Sequence, residues 1–185
     1  WSAYGAVDYD GEHYGQKDVE FLKLLDLPKH VSRQLQLAVS GADDNTRKMF
    51  KTKGWSICNA ADVSNDLDTY QQYIAGSRGE FSAAKQAYVK TRSGWFSDRS
   101  VCYLAAGLPV IVQDTGISDW LTTGKGILTF SSMAQAIDCI EQVEADYNGH
   151  CQTAKQIAGE VFNYTVVLSQ ILEQAFASKH ADRTA

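Results

Sequence analysis

The chain has 185 residues, a formal charge of -5 and a hydrophobic fraction of 44%. That length and composition predict one domain with a real core and exclude wholesale disorder. The acidic balance argues against a nucleic-acid polymer as partner, because such a chain repels a phosphate backbone overall.

Residues 1–16, rich in Gly, Tyr and Asp, read as an N-terminal loop. Lys17 to Asp26 then carries Val19, Phe21, Leu22, Leu24 and Leu25 on a helical stripe that Pro28 stops. Leu35 to Ser40 reads as a strand. Asp43, Asp44 and Asn45 offer caps for a helix ending at Gly54, and Trp55 to Asn59 is the next strand. Asp66 or Asp68 caps a helix bearing Tyr70, Tyr73 and Ile74, which Gly76 terminates.

The same alternation continues downstream. Glu80 to Ala84 is a strand candidate, followed by a polar stretch to Gly94. A helix beginning at Ser97 or Asp98 carries Val101, Leu104 and Ala105, and Gly107 ends it. Leu108 to Val112 is a near-continuous apolar run, the pattern of a strand covered on both faces, with Pro109 tolerated at its start. Gly126 to Phe130 is a last short strand. Ser132 with Gln135 resembles a capping box before a stripe of Met133, Ile137, Ile140, Val143 and Tyr147, and two further helices follow. The expected architecture is α/β: a doubly wound, Rossmann-like parallel sheet of about five or six strands with a helical C-terminal extension. Residues 1–185 form one domain in this reading, with a core over 17–130 and C-terminal helices over 131–185.

Cys58, Cys102, Cys139 and Cys151 lack the spacing of a zinc site and read as small buried hydrophobes in a reducing compartment. His13, His30, His150 and His180 are scattered, so no metal site is expected. No apolar run approaches the roughly 18 residues of a membrane span and no signal peptide opens the chain, so a cytoplasmic location is expected. The chain opens on Trp1 rather than Met, as a fragment or processed product would.

Ligands of open parallel sheets bind beyond the strands' carboxyl ends, where helices present free N–H groups. Between Arg78 and Arg99 five residues are basic (Arg78, Lys85, Lys90, Arg92, Arg99) and two acidic (Glu80, Asp98), an island of +3 in a chain otherwise at -8. Such an island suits a small anion, although a solvated charged face would read the same way. In Gly94-Trp95-Phe96-Ser97-Asp98-Arg99 a glycine allows close backbone approach and a helix start offers donors to a phosphate. Ser97 or Asp98 as a simple cap, with Arg99 in water, is the plainer alternative. There is no GxGxxG, no P-loop around Lys125 and no GxSxG nucleophile elbow.

The stretch Ser93 to Ile111, with Gln113-Asp114-Thr115-Gly116 after it, resembles the donor-site motif of GT-B glycosyltransferases. The resemblance extends weakly to Tyr14-Gly15-Gln16-Lys17, to Tyr73-Ile74-Ala75-Gly76-Ser77 and to the C-terminal helices. It implies the donor-nucleotide-binding half of such an enzyme, taking a nucleoside-diphosphate sugar, with an N-terminal acceptor domain outside this chain. Cofactor and metal are not required if the helix dipole, backbone N–H groups and basic side chains neutralise the leaving diphosphate. The implied donor site comprises Lys17, Arg78, Glu80, Lys85, Gly94, Trp95, Phe96, Ser97, Arg99, Thr115 and Gly116, with no catalytic base assigned. Arg99, Lys85 and Lys17 are the phosphate contacts, and Trp95, Phe96 and Glu80 serve base, loop or ribose. Where the family usually places a ribose-gripping glutamate this chain has Cys102, and Glu80 is the nearby substitute. Arg99, read as a surface side chain, is expected to affect stability by no more than about 0.5 kcal/mol. A non-catalytic Rossmann-like module that binds a nucleotide or a protein partner is the alternative. An epimerase of the same architecture would show paired acid/base groups that are not evident here.

Overall fold

The computed structural model describes Trp1 and residues 5–181, with side chains as far as Ala177. The expectations placed on 2–4, on the side chain of His180 and on 182–185 lie outside the described residues.

The fold is built around a short strand that water never reaches. In β6 (Val110–Gln113) all four residues are buried, as the apolar run predicts. It pairs in parallel with β5 (Glu80–Ser82) on one side and with β7 (Ile127–Phe130) on the other. Because side chains alternate along a strand, β6 needs an apolar layer above and another below. Ile111 turns toward Phe21 and Leu24 of α1 and its C-terminal extension (helix Lys17–Leu22), Phe50 of α2 (Asp44–Thr52), and Ala136, Ile140 and Val143 of α7 (Met133–Ala145). Val110 and Val112 turn the other way. They meet Ile74 of α4 (Leu67–Ala75), Tyr103 and Leu104 of α6 (Asp98–Ala105), and Ala154 of α8 (Tyr147–Glu160). The result is a helix–sheet–helix sandwich, α/β in class.

The predicted five parallel strands are present but do not form one ladder. β3 (Gln36–Val39) pairs only with β4 (Ser56–Asn59), and β5-β6-β7 form a separate three-stranded sheet. Four helix starts carry the expected caps: the side chains of Asp43, Asp66, Ser97 and Ser132 accept from backbone N–H groups of the first turn. Gln135 reaches back one residue beyond the cap, accepting from Ser131 N–H at 2.8 Å rather than from Ser132 as a capping box would.

Four expectations need correction. Residues 7–14 are a β-hairpin rather than loop, with β1 (Val7–Tyr9) and β2 (Glu12–Tyr14) antiparallel. Asp10 and Gly11, both at positive φ, supply its tight turn. The stretch after β5 contains α5 (Gln86–Thr91), and α3 (Ala60–Ser64) precedes α4. α7 and α8 are not an extension, since each closes one face of the sheet. Of the three C-terminal helices α9 (Tyr164–Ala181) stands outside, with Leu168, Ile171, Leu172 and Phe176 exposed. Finally, Cys102 is exposed on α6 rather than buried. Among the described residues no helix is long and apolar enough to cross a membrane.

Phe130 is 1% exposed and stacks on Phe81 with ring centroids 5.1 Å apart. Phe130→Ala should cost about 3–5 kcal/mol in urea unfolding followed by circular dichroism. Leu67→Ala, at a position 85% exposed, should change stability by no more than about 0.5 kcal/mol.

Candidate functional site

A cleft of about 270 Å³ opens beyond the carboxyl ends of β5 and β6, where Ala83 to Lys85 and Gln113 to Thr115 leave the sheet. Its third wall is the Trp95–Ser97 loop leading into α6. That loop is braced from the β6 side. Gly94 N–H donates to Thr115 O at 2.8 Å, Thr115 Oγ1 donates to Trp95 O at 2.7 Å, and Trp120 Nε1 donates to Gly94 O at 3.1 Å. Gly116, at φ +87°, packs so tightly that a Cβ would come within 3.0 Å of Arg92 O. Any other residue there would be strained in its backbone and would push the two loops apart.

Of the sequence-predicted residues, Lys17, Lys85, Trp95, Phe96, Ser97, Arg99 and Thr115 line this cleft. Gly94 and Gly116 shape its loops without lining it. Trp95 stacks on Tyr88 with centroids 5.0 Å apart, giving one flat aromatic wall, while Phe96 turns inward onto Phe162. Ser97 caps α6. Among the described lining residues three are cations and none is a carboxylate.

Arg78 is not brought to the cleft. It precedes β5, at the opposite end of that strand, where Nε and Nη2 bond the Glu144 carboxylate at 2.6 and 3.1 Å and the guanidinium lies 3.8 Å over Tyr147. Glu80 is also misplaced by sequence reasoning. It is the first residue of β5, buried, and its Oε1 accepts from Arg99 Nε at 2.7 Å. It therefore holds the arginine from behind the cleft and does not line it. Arg99 in turn is no solvated side chain, since Nη2 also donates to Ser82 Oγ at 2.7 Å. Burial opposes its charge, but the adjoining Glu80 carboxylate more than compensates and raises its pKa above the ordinary arginine value.

The basic island thus dissolves into pairs made with distant acids. Arg78 pairs with Glu144, Lys90 with Glu12, Arg92 with Asp114 and Asp119, and Arg99 with Glu80. Lys17 differs. Among the described residues its Nζ has no hydrogen-bond or ion-pair partner, and burial, with Arg99 adding repulsion, pushes its pKa down to about 8. As the first residue of α1 it also sits at the end of a helix least favourable to a cation.

Three further polar residues escaped sequence reasoning. Ser100 is fully buried in α6 and lines the cleft, yet among the described residues its Oγ has no hydrogen-bond partner. Gln113 ends β6, accepting from Ala84 N–H at 3.1 Å and donating to the buried Glu20 carboxylate at 2.6 Å. Ser82 supports Arg99. Of the three, only Gln113 carries a sequence signal, as the polar residue directly after the apolar run Leu108 to Val112. No family model, curated protein or solved structure matches the chain.

The pairing corrects the expectation for Arg99. Arg99→Ala strands the Glu80 carboxylate and should cost about 3 kcal/mol rather than nothing. Adding Glu80→Gln should recover much of it, read as a double-mutant cycle in urea. Lys17→Met should act in the opposite sense and raise stability at pH 7. Between the folded pKa near 8 and the ordinary value, the unfolded chain still binds a proton the folded chain has released. Wild-type stability should therefore rise with pH across that window, and the Met variant should lack the rise.

Proposed function

We propose that the cleft holds the diphosphate of a nucleoside-diphosphate sugar and that the chain is the donor-binding half of a GT-B-type glycosyltransferase. The observation that carries this reading is the lining: Lys17, Lys85 and Arg99 converge beside the Tyr88–Trp95 stack, Lys17 has no hydrogen-bond or ion-pair partner among the described residues, and the Glu80 carboxylate that pairs with Arg99 stands behind the cleft. A half-buried ammonium without a hydrogen-bond or ion-pair partner is costly, and an anion brought within reach converts that cost into affinity. In the transfer step the negative charge grows on the departing diphosphate. Arg99, oriented by Glu80 and Ser82, and the half-buried Lys17 stabilise that charge. Glu80 and Ser82 act as positioning residues that hold the Arg99 fork in place. The cleft, at about 270 Å³, takes the diphosphate and part of the nucleoside. The sugar and its acceptor lie outside it, on the side an acceptor domain would cover.

A second reading, a nucleotide- or partner-binding module without transfer activity, is favoured by one specific observation. No carboxylate lines the cleft to grip a ribose diol, and Cys102 is exposed on α6. Calorimetric titration with UDP, GDP and ADP at pH 7 separates the two. Saturable binding of one of them supports a nucleotide-diphosphate site, which release of the sugar from the matching nucleoside-diphosphate sugar would assign to transfer and its absence to a nucleotide-binding module; binding of none supports a partner-binding module. For the best ligand, Lys17→Met should weaken affinity about 10- to 100-fold, the worth of one charge-assisted hydrogen bond. Wild-type affinity should fall as pH rises through about 8, where Lys17 loses its charge. A pH-independent affinity would remove Lys17 from the contact.

A further inference from the structure

A second and larger cavity, about 650 Å³, lies between the two sheets. Its sides are strand edges. Gln34 to Ser40, which contain β3, form one side, and Gly79 to Ser82, which contain β5, form the other. β3 is paired only on its β4 side and β5 only on its β6 side, so each presents an unpaired backbone edge to the gap. Phe21, Ile140 and Val143 wall one face of the gap, and Tyr73 and Tyr103 wall the other.

Both ends of the gap are held. At its amino end Glu144 of α7 bonds Arg33, which precedes β3, and Arg78, which precedes β5, so one carboxylate spans the two halves. At its carboxyl end the Trp1 nitrogen donates to Ser40 O at 2.9 Å, one residue beyond the last of β3. The Trp1 ring packs edge-on against Phe50 at 5.3 Å, which fixes where the backbone enters the core.

We propose that the gap is the seat of a parallel β-strand of four or five apolar residues, supplied by polypeptide on the amino side of Trp1. A strand rises about 3.3 Å per residue, so this length matches the flanking β3 and β5. Only an extended backbone satisfies unpaired N–H and C=O groups on two facing edges at once. The direction follows from the neighbours. β3 and β5–β7 run parallel within their sheets, and a strand climbing the gap from the Arg33–Arg78 end finishes at the Trp1 nitrogen, already within hydrogen-bonding reach of Ser40. Because both faces of the gap are walled, the strand's side chains are apolar in both directions, as in β6. With it in place the order becomes β4-β3-strand-β5-β6-β7, one continuous doubly wound sheet. The crossover from β4 to β5 then skips over two positions, and the diphosphate cleft opens beside the point where the strand order reverses.

The test is to extend the chain at Trp1 with Val-Ile-Val-Ile-Val, and in a control with Val-Ile-Pro-Ile-Val, whose proline interrupts pairing. Native-state hydrogen exchange is then read at the amides of β3 and β5 that β4 and β6 leave unpaired. The apolar extension should slow them about tenfold or more and raise the melting temperature by several degrees, and the proline version should do neither. Equal exchange and equal melting in the two versions would overturn the proposal. If the extended chain aggregates, the same apolar sequence flanked by lysines is added to the unextended chain as a free peptide. Saturable protection of the same amides supports the seat, and none overturns it. Protection of those amides by UDP but not by the peptide would also overturn it, marking the gap as a ligand pocket.

Discussion

The burial of β6 on both faces is the constraint from which the rest of the architecture follows. Val110 and Val112 demand one helical layer and Ile111 another, so α4, α6 and α8 stand on one side and α1, α2 and α7 on the other. With both faces occupied, the chain can present polar chemistry only where the strands end. That is where Gln113 ties the β5 exit to α1 through Glu20, and where the Gly94 and Gly116 loops lock together. The cleft is thus a product of the packing, and its lining residues are carried on elements whose positions the core has already decided.

Charge in and around that cleft is organised by pairing rather than by accumulation. Four of the basic side chains between Arg78 and Arg99 are matched by acids, most of them brought from elsewhere in the chain. Arg99 and Glu80 form a half-buried unit whose removal in part is worse than its removal in whole. Lys17 remains the exception. Burial and the neighbouring Arg99 push its pKa down to about 8, and it is the cation on which the proposed anion site rests.

Much of the fold was legible because its signals are local. Caps at Asp43, Asp66, Ser97 and Ser132, glycine stops and one apolar run located most of the helices and parallel strands within a few residues. The hairpin over 7–14 was passed over although Asp10-Gly11 is a strong turn signal, because its flanking residues look polar and loop-like. α5 was hidden for the same reason, its residues being half-buried at most. At the site, residue types in the loop before α6 were readable, whereas the roles of Arg78 and Glu80 were not. Their partners lie 66 and 19 residues away, and only the fold brings them together. The division of five parallel strands into two sheets was equally invisible, since periodicity describes a strand and not its neighbour.

The proposed diphosphate site depends most on Lys17, a cation whose pKa burial and Arg99 push down to about 8. Its most direct test is an NMR titration of the Lys17 side-chain resonances, with Lys17→Met supplying the assignment. The account predicts an apparent pKa near 8 in the unliganded protein, rising well above that when inorganic pyrophosphate is added. Titration at the ordinary lysine value, or a low value that pyrophosphate does not move, would contradict it.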